Sequence, residues 1–209
     1  MTRVVVLISG RGSNLEAIVR ARLPVDVVAV ISNRPHAPGL DFARAAGIAA
    51  VALDHTAYPD RDSFDARLAD EIERHRPDLV VLAGYMRILT PAFIARFEDR
   101  LLNIHPSLLP AFPGLSTHER ALAEGVKIHG CTVHFVTPRL DHGPIVIQAA
   151  VPVRADDTPE SLAARVLEQE HRIYPRAIRW FAEGRLVKIG ERINLRDDSE
   201  SQWVFADGA

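Results

Sequence analysis

Arg3-Val4-Val5-Val6-Leu7-Ile8 runs straight into Ser9-Gly10-Arg11-Gly12-Ser13-Asn14 and then into Leu15, Ile18 and Val19 at helical spacing. An unbroken β-branched run has no polar face, so it reads as a strand covered on both sides, as in a parallel sheet. A glycine-bearing turn between such a strand and a helix start aims backbone N–H groups and the positive helix end at one spot. That spot suits a phosphate. From these residues alone, a tight βα turn that merely needs glycine reads equally well. No Lys-Ser/Thr follows the glycines, so this is not a P-loop, and Leu15 stands where a dinucleotide fingerprint has its third glycine. A phosphomonoester is the more natural ligand than ATP or NAD.

The alternation persists downstream. Residues 26–32 read as a second strand, 40–46 as a short helix ended by Gly47, and 49–53 as a third strand. Residues 60–75 read as an amphipathic helix with Phe64, Leu68 and Ile72 at four-residue steps. A buried strand at 79–82 leads into Ala83-Gly84-Tyr85-Met86-Arg87-Ile88-Leu89. Another apolar run (Leu101, Leu102, Ile104) should cease to be a strand at Pro106. Residues 117–124 read as a short helix ended by Gly125. Two strands at 132–136 and 145–149 then flank a hairpin-length loop holding Asp141 and Gly143, so the sheet is expected to turn antiparallel. Thr158-Pro159-Glu160 opens a long helix to Ala182, with Gly184 beyond its end and Pro175 expected to bend it. From Arg185 the tail has strand-like pieces at 186–189 and 203–205 around a polar run at 196–201, expected as a loose hairpin with little function. The fold class is α/β: a Rossmann-like, doubly wound, mostly parallel sheet in the N-terminal half, continued by antiparallel strands and a long C-terminal helix.

The chain has 209 residues, enough for one substantial core, and its 47% hydrophobic and 25% charged composition is that of a globular protein. A net charge of −2 gives no global field to attract nucleic acid or an anionic membrane, so an anionic substrate must be caught locally. A single cysteine, Cys131, excludes an internal disulfide and any Cys-pair zinc site, and fits a reducing, cytoplasmic location. The first apolar run is too short for a secretory core, and none approaches the roughly 20 residues that span a bilayer.

Asn103 and His105 are two apart, so an extended backbone projects them to one face. With a later carboxylate such as Asp141 they make a polar trio that can hold a proton near neutral pH and stabilise a developing oxyanion. Taken alone, an Asn-x-His at a strand end is more often a turn anchor. Nine histidines, including His105, His118, His129, His134 and His142 in one third of the chain, raise the question of a metal. No His-x3-His on a helix and no His-Glu-x-x-His occurs, and His129 and His134 flank strand positions where hydrogen-bonded structural imidazoles are common. No metal is expected.

Several segments together resemble the folate-dependent formyltransferases: Ser9 to Asn14, Leu82 to Leu89, Asn103-Ile-His-Pro-Ser-Leu-Leu-Pro110, Gly130 to Pro144, and Gln169-Glu-His-Arg-Ile-Tyr-Pro175. The Ser-Gly-x-Gly-Ser-Asn turn and Phe112-Pro-Gly-Leu115 look like the glycinamide ribonucleotide branch. The resemblance spans residues 4–184 and implies formyl transfer from the co-substrate 10-formyltetrahydrofolate to the amine of 5′-phosphoribosylglycinamide, in purine synthesis, without a metal. It implies catalysis by Asn103, His105 and Asp141. One oxyanion donor is typically worth ~10²–10³ in rate, Asp141 should favour the imidazolium form of His105, and it would accept the amine's proton directly or through water. It places the ribonucleotide phosphate at Gly12, Ser13 and Asn14, and the ribose or glycinamide end at Glu170. Met86, Arg87, Ile88 and Leu89, with Asn103, Thr137, Leu140 and Asp141, would enclose the folate, and Arg61 would lie near its tail. Cys131 is read as core. Ser116 and His142 depart from relatives, which have His and a small residue there.

On this reading, 1–209 is a single formyltransferase domain, with a phosphate-binding α/β half at 1–100, a catalytic and folate-binding half at 101–184, and a tail at 185–209. The partners are small molecules, not nucleic acid or membrane, and a homodimer stays among the options. A 10-formyltetrahydrofolate hydrolase remains the nearest alternative, although such relatives have a regulatory domain ahead of the first strand. A non-catalytic phosphosugar sensor is the other.

Overall fold

Val4 to Ile8 have no exposed surface, as the opening run requires of a strand covered on both faces. The structure, a computed structural model, describes residues 1–197 and 199–206. Two compact units form, one from Met1–Asn103 with Val136–Pro138, the other from Ile104–Phe135 with Arg139–Ala209.

The first unit alternates β1 (Thr2–Ile8), α1 (Ser13–Arg20), β2 (Val25–Ser32), α2 (Pro38–Ala45), β3 (Ala50–Ala52), α3 (Arg61–Arg74), β4 (Leu79–Leu82) and α4 (Pro91–Arg96). β5 (Leu101–His105) begins here and pairs with β4 through Leu101 to Asn103. Every pairing is parallel: β1 lies between β2 and β4, and β3 lies outside β2. The winding direction therefore reverses between β1 and β4, and an open α/β sheet binds ligands at the carboxyl ends of such a strand pair. Phe64, Leu68 and Ile72 of α3 are fully buried with Leu7, Ile31 and Val80, as their four-residue spacing requires. Asp60 caps α3 by accepting from the Ser63 N–H at 2.7 Å. α4 is an element the sequence reading did not expect. Thr90 caps it with Pro91 behind, but six residues are too few to show helical periodicity.

The second unit contains α5 (Thr117–Ala123), β6 (Ile128–Phe135), β7 (Ile145–Pro152), α6 (Pro159–Ala182), β8 (Leu186–Ile189), β9 (Arg192–Leu195) and β10 (Trp203–Phe205). β6 and β7 are antiparallel, as expected, but β6 starts four residues earlier than the pattern suggested. Gly130 hid that start. It reads as a breaker, yet a Cβ there would run into the Ala149 carbonyl oxygen, so glycine is what lets the two backbones pair. α6 opens with a capping box between Thr158 and Ser161 and continues through the buried Pro175 to Ala182.

The tail corrects an expectation. Residues 186–189 do not pair with 203–205; β8 forms a hairpin with β9, and β10 instead runs parallel beside β7. Glu200 ties the tail to α6, accepting from Arg176 (2.9 Å), Arg179 (2.6 Å) and Trp180 Nε1 (3.0 Å), and from Arg185 just beyond it (2.6 Å). Burial acts to raise the Glu200 pKa, but these donors outweigh it and hold the carboxyl down to about 2. No helix among the described residues is long and apolar enough to cross a membrane.

Candidate active site

The turn after β1 is built around Gly12, which caps α1 in the left-handed region at φ 82°, a conformation that favours glycine. Glu16 N–H returns to the Gly12 carbonyl, so the helix's first donors, at Ser13, Asn14 and Leu15, precede the intrahelical ladder. Gly39 of α2 braces the turn, donating to the Gly10 carbonyl at 3.1 Å. A Cβ on Gly12 would lie 3.0 Å from the Gly39 Cα, and one on Gly39 would lie 2.6 Å from Ile8 Cδ1. Ser13 and Asn14 occupy the first two helical positions, so the residues expected to hold the phosphate, Gly12, Ser13 and Asn14, stand at a helix N-terminus.

In the same unit, residues 83–90 leave β4 as a strap pinned at both ends. Met86 N–H donates to Ser9 Oγ at 2.8 Å, and Thr90 N–H donates to Asp65 Oδ2 at 2.7 Å. Between the pins, Met86 is 62% and Ile88 57% exposed, whereas Leu89 turns inward into the core. The Arg87 guanidinium stacks 4.9 Å over the Phe64 ring. Arg61 is the exposed first residue of α3, and Thr137 belongs to the short segment that returns to this unit. Asp65 is 1% exposed, and burial raises its pKa against the opposing hydrogen bonds from Thr90.

β5 ends at His105, with Asn103 two residues earlier on the same face of the strand. Beyond His105, the buried Thr132 hydroxyl holds the chain. It donates to the Ser107 carbonyl (2.7 Å) and accepts from Leu109 N–H (3.0 Å) and Gln148 Nε2 (2.9 Å). That uses the hydroxyl's one hydrogen and both lone pairs. Asp141 Oδ2 lies 3.5 Å from Nδ1 of the His105 imidazole, and the two side chains are only 8% and 10% exposed. At that distance the contact is not a formed hydrogen bond, and it becomes an ion pair when the imidazole is protonated. The same Asp141 oxygen accepts from Gly114 N–H at 2.8 Å, and His105 Nε2 meets the Phe112 carbonyl at 3.0 Å. Asp141 itself has φ 47°. A cavity of about 490 Å³ opens beside it, lined by Pro110, His142, Ile145, Arg192 and Asn194 among others.

Glu170 lies buried on α6; burial and then its charge raise the Cys131 thiol well above its usual range. Cys131 is core, with no exposed surface, and Leu140 is 51% exposed. His118 and His129 stack edge to face at 5.3 Å, and Phe112 stacks on His129 at 5.8 Å. Burial and then the His118 charge push the His129 pKa down to about 4, outweighing the Pro106 carbonyl, which acts to raise it. Burial also lowers His118 and His134. His134 Nδ1 meets its acceptor, the Phe135 carbonyl, at 3.0 Å, whereas neither nitrogen of His129 reaches hydrogen-bond geometry. The expectation of hydrogen-bonded imidazoles thus holds for His134 and fails for His129, whose partners are aromatic edges. Among the described residues no group of three or more His, Cys, Asp or Glu is placed to hold a metal ion.

The trio is assembled as far as His105 and Asp141 are concerned, with Asn103 on the His105 strand. Sequence reading left Ser9, Gly39 and Asp65 without roles, and it missed the contacts from Phe112 and Gly114. The Thr-Pro at 90–91 is a helix-start signal that could have revealed α4, but nothing in the sequence points to the buried partner of Thr90, Asp65.

Residues 2–178 match the family model described as formyl transferase. The chain is 54% identical over 187 residues to the phosphoribosylglycinamide formyltransferase of Escherichia coli (strain K12), covering 88% of each. It is 45% identical over 190 residues to the Haemophilus influenzae enzyme of the same name, covering 89% of this chain and 90% of that one. Among solved structures, glycinamide ribonucleotide transformylase 1 from Symbiobacterium toebii superposes with a TM-score of 0.91 at 55% identity, covering 93% of this chain and 94% of that one.

Proposed function

The chain belongs to the formyl transferase family, and from that premise we infer that it transfers the formyl group of 10-formyltetrahydrofolate to the amine of 5′-phosphoribosylglycinamide, a step of purine biosynthesis. The reaction joins the amine nitrogen to the formyl carbon, breaks the bond from that carbon to the folate nitrogen, and moves one proton from the first nitrogen to the second. The chain's task is to place two reactants, stabilise a transient oxyanion and handle that proton.

The observation that carries the residue assignment is the 3.5 Å approach of Asp141 to His105 in a nearly solvent-free setting. In our reading, Nε2–H of His105 and the Asn103 amide donate to the oxyanion. Each such donor is typically worth ~10²–10³ in rate. Asp141 pairs with the imidazole and takes the amine's proton, directly or through water. Gly12, Ser13 and Asn14 hold the phosphate, and Glu170 holds the ribose or glycinamide end. Met86, Arg87, Ile88 and Leu89, with Asn103, Thr137, Leu140 and Asp141, bind the folate, with Arg61 towards its tail; Leu89 contributes through its backbone because its side chain is buried. A net charge of −2 offers nucleic acid no general attraction, and the buried free thiol of Cys131 suits a reducing cytoplasm.

A spectrophotometric assay of 10-formyltetrahydrofolate tests the reaction. Deformylation only in the presence of phosphoribosylglycinamide is expected. Deformylation without it would make the protein a hydrolase, and none under either condition would make it a sensor.

A further inference from the structure

Ser9 belongs to two structures at once. It is the first residue after β1, at the root of the phosphate turn, and its side chain is only 2% exposed. Its hydroxyl donates to Asn33 Oδ1 at 2.6 Å and accepts from Met86 N–H at 2.8 Å, while its own N–H donates to the Gly84 carbonyl at 3.2 Å. Asn33 is equally buried, just beyond the end of β2, and its carbonyl accepts from the backbone N–H and Nδ1 of His55. A rigid acceptor therefore orients the Ser9 hydrogen, and that orientation leaves the hydroxyl lone pairs for Met86. These contacts sit where β1 and β4 diverge, so one buried side chain joins the loops of the two strands.

We propose that Ser9 is a positioning residue that couples the ribonucleotide turn to the folate strap, so that each substrate tightens the binding of the other. This rests on the assignment of residues 12–14 to the phosphate and 86–89 to the folate. A trans peptide holds the carbonyl of Tyr85 antiparallel to the Met86 N–H, so Ser9 fixes the plane in which the strap begins. Asp65 fixes the far end at Thr90. Ordering the turn around a phosphate damps the residual motion that Ser9 passes to Met86, and the strap then has less freedom left to lose when folate arrives. Linkage makes the benefit equal in both directions. The link is one neutral hydrogen bond of about 0.5–1.5 kcal/mol, which corresponds to about a 2- to 12-fold change in affinity.

The test is a calorimetric binding cycle with phosphoribosylglycinamide and tetrahydrofolate, which lacks the formyl group, so nothing reacts. In the wild-type protein each ligand is expected to bind about 2- to 12-fold more tightly when the other is saturating. Ser9→Ala should bring that factor close to one, weaken tetrahydrofolate alone, and change the ribonucleotide alone by less than about 2-fold, below the worth of one such bond. Asn33→Ala, which leaves the hydroxyl in place without its acceptor, should also reduce the factor and serves if Ser9→Ala does not fold. A wild-type factor of one, or a wild-type factor retained in the folded variants, overturns the coupling. A wild-type protein that binds neither ligand would instead remove the functional reading itself.

Discussion

Nε2 of His105 lies 3.0 Å from the carbonyl oxygen of Phe112, and because a carbonyl only accepts, that nitrogen carries a proton in this arrangement. The nitrogen proposed as the oxyanion donor is thus already protonated, and in the proposed mechanism the substrate oxygen takes the place of the loop carbonyl. Asp141 stands at the other ring nitrogen and also ties down Gly114, so the loop and the proposed catalytic imidazole share their anchors.

Asp141→Asn separates charge from shape. Asparagine tolerates the left-handed backbone at φ 47° and keeps an oxygen for Gly114. Turnover should fall by about 10²–10⁴, the usual worth of a positioned proton acceptor, with little change in the thermal midpoint. Steady-state rates beside a melting curve check this, and near-normal turnover would remove Asp141 from the mechanism.

Gly39→Ala acts on the proposed phosphate turn through the atoms that pack behind it. Its new methyl would meet Ile8 Cδ1 at 2.6 Å and the Gly10 carbonyl at 3.2 Å, so the turn has to move. A stability loss of about 1–3 kcal/mol is expected from overpacking. The KM for the ribonucleotide should rise far more than that for the folate. Equal changes in both constants would place the phosphate elsewhere.

Acid should destabilise the protein in two separable windows. The folded His129 takes up its proton near pH 4 instead of 6.5, so the unfolded chain binds more protons between those values and stability falls as pH drops through them. His129→Phe should flatten that part of the stability profile, measured by urea unfolding from pH 7.5 to 4. An unchanged slope would mean that the imidazole is not kept neutral by its burial.

Glu200 sets the lower window. Its folded pKa near 2 lies below the ordinary 4.5, so its contribution is present above 4.5 and disappears as pH falls through 2. Glu200→Gln should cost about 1.5–3 kcal/mol at neutral pH, the range for hydrogen bonds to a charged group. Greater protease sensitivity at 186–206 should accompany it. A variant as stable and as resistant as the parent would show that the arginines find other partners.

Much of the fold was readable from local pattern. β1, its turn and α1 followed from a β-branched run meeting glycines, and α3 followed from Phe64, Leu68 and Ile72. What stayed hidden depends on partners distant in sequence. Ser9 reaches Met86 across 77 positions and Asp65 reaches Thr90 across 25, and no periodicity encodes such a pairing. β10 and β7 were each visible as strands, but their pairing was not, because short edge strands carry no record of register. The motif residues His105 and Asp141 were legible as a pair, whereas the Phe112 and Gly114 contacts arise from backbone atoms that every residue possesses.

Gly130 has a consequence for mutational tolerance. With the Ala149 carbonyl where a side chain would begin, saturation mutagenesis at this site should return glycine alone. If β6 slid by one place against β7, the Cβ of His129 or Cys131 would arrive at that oxygen, so the missing side chain works as an alignment key for the hairpin. The loop bearing Asp141 is the connection between those two strands, and the key therefore governs where the carboxylate is delivered.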